Sequence, residues 1–308
     1  VVPRYIVEVP PTANLGVGRK KEALMSKITV PAVRAHKVRH GHDPLVMITA
    51  YDAPSARSVD EAGAELILVG DSLAMVVLGY DTTLSVTVAD MAHHTAAVAR
   101  TKPKAMVIAD LPWMSYHVDA RETVRNAAEL IRAGAVAVKL EGGRKRVPMV
   151  EAIVDAEIAV VGHLGLTPQS VHQMGGFKVQ GKTSQAALEL VEDAKALEAA
   201  GCFLIVLEGI PSPVAKLITD SLDVPTVGIG AGSDCDGQVL VYHDVLGIED
   251  RIKPKFVRRY ASLGADAVTA LSTFAADVRS KAFPGEAESY QLGEAEAEAL
   301  GLYGSSGD

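Results

Sequence analysis

The chain has 308 residues, enough for one barrel or two ordinary domains, and 48% of them are hydrophobic, so most of it can bury a core. Aromatic residues make up only 5%, so that core is built from Ala, Val, Ile and Leu, which suits parallel strands covered by helices on both faces. The net charge of −8 comes with no basic stripe and no aromatic-interleaved basic patch, which argues against nucleic-acid binding, and no apolar run approaches the roughly 18 residues of a spanning helix.

Residues 1–26 lack periodicity and hold the basic cluster Arg19-Lys20-Lys21; they are expected to form an arm or leader outside the core. From Pro44 onward, short apolar runs rich in β-branched residues predict strands at Val46–Asp52, Leu66–Asp71, Met106–Leu111, Val136–Glu141, Ile158–Leu164, Phe203–Glu208 and Thr226–Ile229. Helices are expected between most of them. One covers Val88–Arg100, capped by Ser85 or Thr87. Ala120–Ala133 stops before Gly134, Ser184–Ala200 stops before Gly201, and Pro211–Ser221 opens on proline. Gln238–His243 is a candidate eighth strand. It follows Gly232 so closely that either the seventh crossover has lost its helix, or this run is helical and the eighth strand lies elsewhere. Lys255–Leu263 and Asp266–Lys281 are expected as terminal helices on the outside of the barrel, completing a catalytic domain over 27–288. An acidic tail over 289–308 follows, within a stretch from Glu286 that holds six acidic residues and no Lys or Arg.

Polar residues close many of these runs: Asp52, Asp71, Asp110, Glu141, His163 and Glu208. An open doubly wound sheet concentrates its site at one switch point, whereas a (β/α)8 barrel collects residues from nearly every strand at its top face. The expected fold is therefore an α/β (β/α)8 TIM barrel. A dinucleotide fingerprint is missing, since Gly228-Ile229-Gly230-Ala231-Gly232 lacks the third spacing and follows the seventh run.

Asp71 (LVGDSL) and Asp110 (VIADLP) each end an apolar run, where a carboxylate needs a partner. Two carboxylates with water in the other positions suit Mg²⁺, although a helix cap or a lysine would also satisfy them. Lys139 and Glu141, two apart in VKLEGG, point to one side of a strand. They are either a structural pair or an anchor for a substrate carboxylate beside a metal-facing acid. Glu208, behind a run of apolar residues in VLEG, has its pKa raised toward that of a general base provided that no cation is near. Backbone donors after Gly209 are the plainer explanation. His163 could polarise a carbonyl or simply be a satisfied strand-end histidine. His93 and His94 belong to a helix surface and its packing. Cys202 starts an apolar strand and reads as core. With Cys235 it makes neither a disulfide framework nor a CxxC pair, and a reducing cytoplasmic location is expected.

The strings ITAYD (48–52), VGDSL (69–73), VTVADMAHHTAAV (86–98), ADLPWMSY (109–116), VKLEGG (138–143), GHLGLTPQS (162–170), MGGFKVQGK (174–182), VLEGIP (206–211) and GIGAG with DCDGQVLVYHD (228–244) occur in order, and together they resemble the ketopantoate hydroxymethyltransferase family. The resemblance runs from about Ser26 to Tyr290. It implies a barrel of the phosphoenolpyruvate/pyruvate-binding type that assembles as a homodecamer. The implied reaction transfers a hydroxymethyl group from 5,10-methylenetetrahydrofolate to 3-methyl-2-oxobutanoate, through an enolate stabilised by Mg²⁺, giving 2-dehydropantoate for pantothenate synthesis. Carried onto matching positions, it makes Asp71 and Asp110 metal ligands that also meet substrate, with Glu141 completing the metal's shell. Ser72 and Lys139 then hold the keto acid, and Glu208 is the base. Ala74 and Trp113 depart from the usual Gly and Phe and touch none of these groups. A folate-independent, Mg²⁺-dependent lyase or mutase of 2-oxo acids on the same barrel is the alternative enzyme. A catalytically dead scaffold is the non-enzymatic one, and the intact set Asp71, Asp110, Lys139, Glu141 and Glu208 argues against it.

Overall fold

Eight short parallel strands pair in chain order and close on themselves: β1 (Leu45–Thr49), β2 (Leu66–Val69), β3 (Met106–Asp110), β4 (Ala137–Glu141), β5 (Ala159–Gly165), β6 (Leu204–Glu208), β7 (Thr226–Ile229) and β8 (Gly237–Leu240), with β8 returning to β1. This is the (β/α)8 barrel expected from the distribution of strand-end polar residues. The computed structural model describes residues 27–248 and 254–302; the expected arm at 1–26 and the end of the acidic tail at 303–308 lie outside them.

Strand lengths of four to seven residues follow from the short apolar runs. Met47, Leu66, Leu68, Met106, Ile108, Val161, Leu204, Val206, Val227 and Val239 fill the barrel interior, and the helix Val30–Arg34 stoppers its N-terminal end with Val33 in the same cluster. A second apolar layer joins the outer strand faces to the surrounding helices. Those helices begin where their caps stand. Thr87 and Asp90 exchange side-chain and backbone hydrogen bonds at the start of Val88–Ala99. Asp52 caps Ala53–Glu61 in the same way, so its carboxylate serves a helix terminus rather than the barrel mouth.

The seventh crossover has lost its helix, one of the two alternatives for the eighth strand: residues 230–236 alone join β7 to β8. Three expectations are corrected. Tyr242 and His243, expected at the end of the strand, open the helix Tyr242–Leu246. Lys255–Leu263 is not a helix, because 255–262 form turns and irregular chain and Leu263 begins the next element. The helix Leu263–Ser280 buries none of its residues, so its apolar positions Val268, Leu271, Phe274 and Val278 face outward instead of packing on this barrel. Within 289–302 the chain forms the short helix Glu294–Ala299. Among the described residues no helix is long and apolar enough to cross a membrane.

Candidate active site

The register of the sheet brings the acids together. Asp110 lies opposite Lys139, Glu141 opposite His163, and Gly165 opposite Glu208. Asp71, just beyond β2, reaches Asp110 through its own backbone, with Asp71 N–H donating to Asp110 Oδ2 at 3.0 Å. All these groups sit at the C-terminal ends of strands, where barrel sites form. Asp71, Asp110, Lys139, Glu141 and His163 are each no more than 4% exposed. Gly165 permits the approach of β5 to β6: it has φ +95°, and a Cβ there would fall 2.2 Å from the Glu208 carbonyl oxygen.

Lys139 Nζ stands 3.1 Å from Asp110 Oδ1 and 3.3 Å from His163 Nδ1. Its carboxylate partner is thus Asp110 across the sheet, not Glu141 on its own strand. His163 bridges two acids, with Nδ1 3.4 Å from Glu141 Oε1 and Nε2 3.3 Å from Glu208 Oε2. Burial and the Lys139 charge push the imidazole pKa down, but Glu141 and Glu208 push it up further, to about 9. His163 therefore stands beside Glu208, a side-chain partner that the local sequence did not reveal. Ser72, half-buried, meets the Tyr51 hydroxyl at 2.9 Å. His94 packs Nδ1 on the Tyr51 carbonyl at 2.7 Å, His93 is exposed, and Cys202 is fully buried core.

Four carboxylates, those of Asp71, Asp110, Glu141 and Glu208, face two cationic side chains, Lys139 and His163. With all six ionised the excess is two negative charges, the charge of one divalent cation. The strain falls on the two aspartates. Burial, then Asp110 and Glu141, hold the Asp71 carboxyl well above the usual carboxylate range. Burial also raises Asp110, although Lys139 and the Asp71 N–H work against it. Glu141 goes the other way: burial is outweighed by His163, Lys139 and the Gln169 N–H, and its pKa falls. Asp110 Oδ1 is buried with an ion pair but no aligned hydrogen bond, a position a cation would satisfy. Among the described residues no three His, Cys, Asp or Glu side chains already converge as a metal cage. The side chains that could hold a divalent cation here are the carboxylates of Asp71 and Asp110, with Glu141 nearby, and hard oxygen donors of this kind suit Mg²⁺.

Two residues of the site were not singled out from the sequence. Gln169, on the turn Pro168–Ser170 after β5, and Tyr116, in the loop after β3, are buried between Asp71 and Glu141. Their strings follow strand ends, where site residues gather, but nothing in the local pattern distinguishes them from other loop residues.

A sequence model of the ketopantoate hydroxymethyltransferase family matches residues 27–286. The chain is 54% identical over 278 residues to a 3-methyl-2-oxobutanoate hydroxymethyltransferase from Syntrophobacter fumaroxidans, covering 90% of this chain and 98% of that one. It is 56% identical over 262 residues to the enzyme of the same name from Ignicoccus hospitalis, covering 85% and 98%. Among solved structures, it is similar to 2,3-dimethylmalate lyase, a member of the PEP mutase/isocitrate lyase superfamily, with TM-score 0.54 and 18% identity over 89% of this chain and 94% of that one. It is also similar to phosphonopyruvate hydrolase in complex with oxalate and Mg²⁺, with TM-score 0.55 and 16% identity over 90% and 95%. At these identities the structural likeness speaks for the barrel alone.

Proposed function

The chain belongs to the ketopantoate hydroxymethyltransferase family, and we propose that it transfers a hydroxymethyl group from 5,10-methylenetetrahydrofolate to 3-methyl-2-oxobutanoate, with Mg²⁺ held by Asp71 and Asp110 and Glu141 reaching it through water. The observation that carries the reading is the buried excess of carboxylate at the barrel mouth, with Asp71 pushed up and Asp110 Oδ1 lacking an aligned hydrogen bond. When bound, Mg²⁺ supplies Lewis-acid polarisation of the keto oxygen. Lys139 and the Ser72 hydroxyl hold the keto acid, the ammonium offering charge and the hydroxyl a short, orientable hydrogen bond.

Glu208 takes the C3 proton. Its carboxylate is 3.3 Å from His163 Nε2, which fixes the direction in which it points. The C3 carbanion equivalent then attacks the methylene carbon carried by the folate, forming the carbon–carbon bond as one carbon–nitrogen bond breaks; water replaces the second carbon–nitrogen bond and supplies the hydroxyl oxygen, and the C3 proton and one water proton end on the two folate nitrogens. Trp113 and Met114 after β3, with Phe177 and Val179 after β5, are exposed apolar side chains on segments that follow strand C-termini, the kind of surface a flat pterin can stack on.

Assembly as a homo-oligomer, a homodecamer by the family resemblance, suits the outward apolar face of Leu263–Ser280, which another copy can cover. A reducing cytoplasmic location suits Cys202 and Cys235, which are both free and buried.

An assay of product formation from 3-methyl-2-oxobutanoate tests the reaction. Product is expected only when both a divalent cation and methylenetetrahydrofolate are present. Consumption of the keto acid without folate would replace this reading with the lyase or mutase one.

A further inference from the structure

Gln169 is 6% exposed, and its side chain makes hydrogen bonds in three directions. Its Nε2 donates to Asp71 Oδ2 at 2.8 Å and to the Leu111 carbonyl at 3.0 Å. Its Oε1 accepts a short hydrogen bond from the Tyr116 hydroxyl, which itself accepts from Glu141 N–H at 3.2 Å. Its own backbone N–H donates to Glu141 Oε2 at 3.0 Å. Residues from the ends of β2, β3 and β4 therefore meet on Gln169, with Asp71, Leu111 and Tyr116 at its side-chain amide and Glu141 at its backbone N–H.

The chemistry of the partners settles which way that amide points. Asp71 Oδ2 and the Leu111 carbonyl face its NH₂ group, and a carbonyl oxygen accepts only. With its own hydrogen spent on Oε1, the Tyr116 hydroxyl accepts from Glu141 N–H. A flipped amide would set its oxygen against Asp71 and Leu111 and its NH₂ against a hydroxyl that already accepts a hydrogen. The choice of residue also has an electrostatic logic. A Lys here would neutralise the acids and compete with a cation, and a Glu would add to their repulsion. Gln supplies donors while leaving the negative charge in place.

We infer that Gln169 is a positioning residue for the divalent-cation site, locked by Tyr116 and holding the Asp71 carboxylate by Oδ2 so that Oδ1 is the oxygen left for the ion. The inference rests on the reading of Asp71 as a metal ligand. It separates two functions of one residue: the backbone N–H orients Glu141 whatever the side chain is, and the amide orients Asp71.

Gln169→Met tests it, since methionine has similar length, no donors, and the same backbone N–H for Glu141. Binding of Mn²⁺ to the purified full-length protein, followed by the loss of the free-ion paramagnetic resonance signal, is expected to weaken about tenfold, or about 1.4 kcal/mol. Tyr116→Phe, which releases the lock but keeps the ring, is expected to weaken it about threefold, or roughly 0.65 kcal/mol. In both variants the Mg²⁺ concentration for half-maximal turnover rises, while kcat at saturating Mg²⁺ stays within about twofold, because a bound ion itself holds the carboxylate. A purely structural role would lower the unfolding temperature without this split. Unchanged Mn²⁺ binding in folded Gln169→Met overturns the inference. If that variant does not fold, unchanged binding in Tyr116→Phe overturns it. Normal Mn²⁺ binding by Asp71→Asn overturns the ligand assignment and this inference with it.

Discussion

The two ends of the barrel bury charge in opposite ways. At the N-terminal end, Lys37 and Asp236, 1% and 2% exposed, pair at 2.7 Å. The lysine donates further to the Thr219 and Val224 carbonyls, and the aspartate accepts from Val38 and Thr226 N–H groups on separate oxygens. Charge there is matched one to one, and the pair ties the helix-less β7–β8 connection to the N-terminal segment. At the C-terminal end, acids outnumber cations, Asp71 and Asp110 are pushed up, and Asp110 Oδ1 and His163 Nε2 are buried without aligned hydrogen bonds. A buried charge that serves the fold is fully partnered. One that serves chemistry is left in want of something from solution.

The largest expected effect lies at the matched end. Lys37→Met leaves Asp236 buried and unpaired, a change expected to cost about 3–5 kcal/mol of stability, measured as a lowered denaturant midpoint. The same variant should bind Mg²⁺ with unchanged affinity wherever it remains folded. A shifted Mg²⁺ affinity would show that the two ends are coupled and would dissolve the contrast between them.

Next comes Glu208→Gln at the mouth. Removing a positioned general base costs about 10²–10³-fold, or about 3–4 kcal/mol of barrier. Exchange of the C3 proton of 3-methyl-2-oxobutanoate into deuterated water, followed by NMR with Mg²⁺ present and folate omitted, should slow by that factor. Keto-acid affinity should hold. Exchange at the unmodified rate removes Glu208 as the base.

What the sequence made legible divides along the same line. Asp71, Asp110, Glu141 and Glu208 stood out because a carboxylate ending an apolar run is a conflict visible within one strand, and Lys139 because strand periodicity set it beside Glu141. The barrel followed from the number of strands that end this way. Pairings between strands were hidden. The sheet register, not strand periodicity, gives Lys139 to Asp110 and places His163 between Glu141 and Glu208. Lys37 and Asp236 lie far apart in the chain, and Gln169 and Tyr116 are ordinary loop polar residues until the fold sets them between two acids. The stop of β8 at Leu240 and the helix at Tyr242 were equally hidden, because the run QVLVYH is apolar enough for either state.

The smallest expected effect carries the sign that tests the contrast most directly. In the folded protein Asp71 holds its proton more tightly than a free aspartic acid, because burial and its neighbours Asp110 and Glu141 disfavour the charge. Its contribution to stability is therefore full below the ordinary value of 3.8 and is lost as pH rises through the higher folded value. In chelator at neutral pH, wherever Asp71 has ionised, the carboxylate weakens the fold. Asp71→Asn keeps an oxygen for Gln169 but cannot ionise. Its unfolding temperature should exceed that of the unmodified protein by on the order of a few degrees, with a gap that widens from acid toward neutral pH. Added Mg²⁺ should then raise the unmodified protein and leave the variant where it was, closing the gap or reversing it. Lys37→Met gives no such crossing, since its destabilisation is the same with and without the ion. If Asp71→Asn were no more stable in chelator at any pH, the mouth would be as well matched as the opposite end, and its excess charge would have no claim to be a cation site.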